Sequence, residues 1–138
     1  MNVPWIQVYS NLLDHQKTYR LADALKLSSP LVDPNAIAAA MLIGLWTWAA
    51  QNAYTGDLSG CGARAIANAC RWKKSPDTLL DALLSCGWID SNMMLHDWGE
   101  YAALFIESEE GRREKTRERV SRHRAKKAAP EYVTKGSL

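Results

Sequence analysis

The segment 36–50 holds fifteen residues without a charged side chain, bounded by Asn35 and Gln51. A membrane-spanning helix needs about 20 such residues, so the run predicts a helix buried in a folded core. Asp33-Pro34 marks its start, an N-cap acceptor followed by proline at the first helical position. The helix then runs to about Asn52, with Ile37, Met41, Leu42, Leu45, Trp46 and Trp48 spread over nearly every face. A helix apolar all round is covered on most sides, which makes this one the central element of its domain. Trp46 and Trp48, two residues apart, cannot share a face. One of them is expected at the surface, against a second copy of the chain or against the preceding helix.

Shorter elements surround it. Residues 5–10 read as a short extended segment, with Trp5, Gln7 and Tyr9 alternating against Ile6 and Val8. A helix is expected from about 15 to 27, capped by Asp14, turning Leu21, Ala22, Ala24 and Leu25 inward and ended by Ser28-Ser29-Pro30. Beyond the turn Thr55-Gly56-Asp57, Leu58-Ser59 fits one short strand. A helix at about 63–71 buries Ala63, Ile66, Ala67 and Cys70. Ser75-Pro76-Asp77 opens another over 77–85, which buries Leu79, Leu80, Leu83 and Leu84 until Gly87 stops it.

Two strand-like runs, 88–90 and 94–96, flank a turn at Ser91-Asn92. A last helix starts at Asp97-Trp98, packs Tyr101, Ala102, Phe105 and Ile106 inward, and continues towards an Arg-rich stretch. Helix, short strand, helix, turn, helix and hairpin, in that order, make the winged helix-turn-helix arrangement. The expected fold class is mainly α (α+β): a winged helix-turn-helix with an extra N-terminal helix and a basic C-terminal helical tail. The domain covers 1–106 and the tail 107–138.

Charge divides the chain at the same place. Residues 1–106 carry seven Lys/Arg against nine Asp/Glu, and residues 107–138 carry ten against six. Within 112–127 nine cations stand against two glutamates, a net of +7. These are Arg112, Arg113, Lys115, Arg117, Arg119, Arg122, Arg124, Lys126 and Lys127. On a helix they are cationic nearly all round, with Glu118 and Arg122 forming a favourable i,i+4 pair. Such a segment binds phosphates without regard to sequence and with strong salt dependence; the alternatives are a solvated tail and an acidic protein surface. Arg71, Lys73 and Lys74 flank Trp72 in the helix-turn-helix turn and form a smaller basic patch. They add phosphate contacts, with Trp72 either stacking on an unpaired base or packed on the core.

The second helix of the pair is poorly furnished for reading DNA. Its polar positions are Asp77, Thr78, Asp81 and Ser85, with no Arg, Lys, Asn or Gln to meet a base edge, and its carboxylates repel phosphates. Chemistry is also scarce. Cys61, Cys70 and Cys86 form no CxxC pair and have no metal-site spacing to His15, His96 or His123, so buried reduced thiols in a cytoplasmic protein are expected. His96-Asp97 with Glu100 lacks any accompanying catalytic motif, and His96 is expected to be a wing residue bonded to backbone. No enzyme activity, cofactor, metal site or membrane association is expected.

Five segments together carry a family resemblance: WIQVYSNLLDH at 5–15, GLWTWAAQN at 44–52, GDLS at 56–59, ALLSCGWID at 82–90 and LHDWGEY at 95–101. In this order they resemble the N-terminal domain of phage replisome organisers, the DnaD-like replication-initiation proteins of phages and prophages of Gram-positive bacteria. The resemblance covers about residues 3–127, including the Arg-rich segment. It implies a winged-helix domain for self-association and replisome assembly, with DNA contact C-terminal to it. It also implies a homo-oligomer and a replicative helicase or its loader as partner, although complete members are usually longer. The function expected is replication initiation, with the body assembling and the tail holding DNA. A transcriptional regulator reading an operator and a protein-interaction adaptor are the alternatives.

Overall fold

Asp33 caps the central helix with its side chain, which accepts a hydrogen bond from the Asn35 amide at 2.9 Å. The computed structural model describes the backbone of residues 3–136, and their side chains except those of 103–106, 108 and 126–136. The expected inward packing of Phe105 and Ile106 lies outside the described side chains. Two units emerge, Met1–Phe105 and Ile106–Leu138. The helices are α1 (Gln16–Ala24), α2 (Pro34–Asn52), α3 (Gly62–Ala69), α4 (Pro76–Ser85) and α5 (Trp98–Gly136), with a 3-10 turn over Leu12–Asp14.

The core gathers on α2. Ala38, Leu42, Leu45, Trp46 and Ala49 are inaccessible, joined by Leu21 of α1, Ile66 of α3, and Leu79 and Leu83 of α4. Trp46 stacks on Tyr101, ring centroids 4.2 Å apart, and tilts against Trp88 at 5.9 Å. Burial is nevertheless not complete around α2. Ile43 and Thr47 reach solvent on one face, where the Thr47 hydroxyl donates to the Ile43 carbonyl. Trp48 is half-buried, so the expectation of one surface tryptophan on this helix is met only in part.

Helix α3 crosses α2 at Gly44. A Cβ added there would lie 2.6 Å from the Ala69 carbonyl oxygen, a backbone atom that cannot step aside. Gly44→Ala is therefore expected to destabilise the fold by about 1–3 kcal/mol in urea unfolding, although alanine is the better helix former. A gain in stability would show that the two helices separate freely.

Helix ends follow one pattern with unexpected residues. The first helix is capped by His15, whose Nδ1 accepts from the Lys17 amide, and not by Asp14, which belongs to the 3-10 turn. That turn is held by buried Thr18, whose hydroxyl donates to the Leu12 carbonyl at 2.6 Å. The helix stops at Ala24, short of Ser28, and Ala24 is exposed. Lys26, Arg71 and Gly87 all take left-handed backbone after α1, α3 and α4. In each case the next residue's amide reaches back to close the last turn: Leu27 to Ala22, Trp72 to Ala67, Trp88 to Leu83. Glycine tolerates this conformation and was legible in the sequence at Gly87; lysine and arginine adopt it against their preference.

The strands expected at 58–59, 88–90 and 94–96 are reduced to two isolated antiparallel bridges, Asp57 with Met94 and Ile89 with Leu95. Asp90 donates to the Met94 carbonyl and His96 to that of Trp88, while Leu95 donates to Gly56 and Leu58 to Met93. Only two or three residues a side are available before the chain turns, too few for a ladder. The turn covers Asp90 to Met93, closed by Met93 N–H to Asp90 C=O, with Met93 at φ +65°. What is established at the level of class is a mainly helical protein. Among the described residues, no helix is long and apolar enough to cross a membrane.

Candidate nucleic-acid interface

In the second unit, Arg112, Arg113, Lys115, Arg117, Arg119, Arg122 and Arg124 are all exposed on α5. Lys126 and Lys127 lie outside the described side chains. At about 100° per residue, Arg112, Lys115, Arg119 and Arg122 fall in one row, and Arg113, Arg117 and Arg124 in a second on nearly the opposite face. The surface is thus two cationic rows with Glu114 and Glu118 between them, and not an even coat. The expected Glu118–Arg122 pair is present at 3.9 Å between exposed groups, a contact of little energetic weight.

Glu109 stands just ahead of the cationic segment and pairs with its first two arginines. It accepts from Arg112 at 2.6 Å and lies 3.6 Å from the Arg113 Nε, and the Arg112 hydrogen bond holds its carboxyl below the usual range. The pair lies three and four residues apart, a spacing available to inspection. Among the described residues, Lys115, Arg117, Arg119 and Arg124 form no ion pair.

In the first unit, Arg71, Lys73 and Lys74 are exposed where α3 gives way to α4, as a phosphate-contacting patch requires. Trp72 is half-buried, its indole N–H donating to the Ser75 carbonyl at 2.9 Å. Asp77, Thr78, Asp81 and Ser85 are the exposed residues of α4, so its solvent face is acidic. Burial explains the rest of that helix: Leu79, Ala82 and Leu83 are enclosed, while Leu80 and Leu84 are only half-buried. Arg64 and Asn68, on the exposed face of α3, went unnoticed in the sequence because they stand singly in an alanine-rich stretch.

A cavity of about 170 Å³ is lined by Tyr9, His15, Lys17, Trp88, His96 and Tyr101 among others. Several of its polar groups are engaged. Lys17 donates to the Gly87 carbonyl at 2.9 Å and sits 4.5 Å above the Trp88 ring, while the Trp88 N–H donates back to the Lys17 carbonyl. Burial lowers the Lys17 pKa, with Asp97 and Asp90 acting in the opposite direction. His96 pairs with Asp90 at 2.8 Å and lies 3.4 Å from Asp97, so carboxylates and not the backbone are its partners. Tyr9 donates to Glu100, which raises the tyrosine pKa. These contacts tie α1 to the start of the bridged hairpin and the N-terminal segment to the first turn of α5.

Of the three thiols, only Cys70 is buried; Cys61 and Cys86 are half-buried, which corrects the expectation for two of them. Burial pushes the Cys70 thiol up to about 12. Since the thiolate is the reactive form, Cys70 is expected to resist alkylation at pH 8 in the folded protein while Cys61 and Cys86 react. Mass mapping after iodoacetamide treatment checks this, and equal labelling of all three would contradict the packing around Cys70. Among the described residues, no three His, Cys, Asp or Glu side chains are placed to hold a metal ion.

No protein-family model, curated protein or solved structure matches the chain.

Proposed function

We propose that this chain is a DNA-binding protein of the replisome-organiser type, which holds nucleic acid by charge and not by reading sequence. The observation that carries the proposal is the exposed double row of cations on α5 from Arg112 to Arg124. Seven positive side chains over about 18 Å of helix match a polymer that carries one negative charge per ~1.7 Å of duplex. The acidic solvent face of α4 disfavours the operator-reading alternative, since carboxylates at the groove are repelled by the phosphates.

The body is proposed to be a minimal winged helix. Supporting that reading is the order α2, Asp57, α3, α4, Ile89, Leu95, in which the 94–95 segment bridges to both others. Self-association is assigned to the body, where Trp5, Val8, Leu13, Leu31 and Val32 are exposed. The resemblance of the five segments to replisome organisers supports a role in the initiation of phage or prophage replication, with a replicative helicase or its loader as the further partner proposed. No catalytic step is assigned.

Titration of the full chain against random duplex and single-stranded DNA over a salt series tests the proposal. Affinity that falls steeply with salt and is alike for unrelated sequences is expected. A footprint on one defined site with a shallow salt dependence would transfer the protein to the regulators.

A further inference from the structure

We infer that the helix-turn-helix pair meets nucleic acid through the outer face of α3 and the turn after it, and not through α4. The inference rests on the DNA-binding reading above and adds a second phosphate-contacting surface, built into the folded body. Helix α3 buries Ile66, Ala67 and Ala69, and presents Arg64 and Asn68 to solvent. Arg71 follows two residues beyond the end of α3 and is also exposed. Lys73 and Lys74, also exposed, carry the basic surface on into the turn.

Charge favours a polyanion on this face. Residues 58–76 contain four cations and no Asp or Glu. Among the described residues, none of the four is in an ion pair; the Arg71 guanidinium makes one hydrogen bond, to the Asn68 carbonyl at 3.3 Å. Guanidinium groups grip phosphate through paired N–H donors, and the Asn68 amide supplies another donor between them. The other two surfaces that a winged helix offers DNA are unsuited. Exposed α4 carries Asp77 and Asp81, and the hairpin turn Ser91-Asn92-Met93 has no cation.

Arg71 also occupies a left-handed backbone position, φ +63°, where glycine would sit without strain as Gly87 does after α4. Lys26 takes the same conformation after α1, so left-handed backbone by itself does not mark a contact residue.

The full-length protein with Arg64, Arg71, Lys73 and Lys74 changed to glutamine tests the inference on random duplex DNA. The slope of log affinity against log salt is expected to fall by about 3.6, with an unchanged melting temperature. A slope and affinity equal to the parent's would overturn the α3 surface and leave the tail reading intact. Absence of DNA binding by the parent itself would overturn both. Arg71→Gly separates contact from folding: the melting temperature should rise by ~4 °C while affinity drops about fivefold. A rise in melting temperature with undiminished affinity would remove Arg71 from the surface.

Discussion

Glutamine at all seven of Arg112, Arg113, Lys115, Arg117, Arg119, Arg122 and Arg124 is expected to lower affinity for random duplex DNA about 10³–10⁴-fold at 0.15 M salt. The segment 112–124 has a net charge of +5 once Glu114 and Glu118 are counted. If five phosphates are neutralised, the salt slope carries about −4.5 from this segment, which corresponds to that loss. Arg112 and Arg113 must first leave Glu109, a small cost for pairs at the surface. The folded body should be untouched, because these side chains belong to the second unit and are exposed. Fluorescence anisotropy at several salt concentrations provides the measurement. A loss below tenfold would mean that the tail is a solvated appendage and that any DNA contact lies elsewhere.

The second large effect is on stability. Trp46→Ala is expected to cost about 3–5 kcal/mol, a large fraction of what holds a domain of this size together. Trp46 is 1% exposed, and its removal empties the space between Tyr101 and Trp88, losing two aromatic contacts as well as the buried area. By contrast, Trp5→Ala at a 47% exposed position should shift stability by less than about 0.5 kcal/mol. Urea unfolding of both variants makes the comparison. Equal effects would show that the core is not organised around Trp46.

Both effects reach back to features visible in the bare sequence, but to different depths. The apolar run after Asp33-Pro34 announced a buried helix, since local capping and composition specify where such a helix begins and how deeply it sits. Nothing local told Trp46 from Trp48, because which tryptophan is enclosed depends on Tyr101 and Trp88, residues 55 and 42 positions away. Chain terminators were read well where glycine supplied the turn, at Gly87, and poorly at Lys26 and Arg71. There the amide of the following residue closes the last helical turn around a side-chain-bearing residue, in a backbone state that its own preference opposes. The hairpin's turn was placed to within a residue, whereas its strands proved too short to be more than bridges.

By itself, then, the sequence determined the charge division of the chain, the cationic segment from Arg112 onward and the acidic positions of α4. Charge is a property of composition, and exposure of long charged side chains follows from the cost of burying them. Only the tertiary structure decided which face of α3 is covered and which cations of the body stay in solvent. It turned Arg64 and Asn68 of α3 to solvent by burying Ile66, Ala67 and Ala69, whereas the two rows of the tail and the Glu109 pair follow from helix periodicity alone. Such exposure depends on the register of a helix and on which of its faces the core covers. For α3 that face is set by its crossing with α2 at Gly44, a contact between backbones that no local pattern in the sequence encodes.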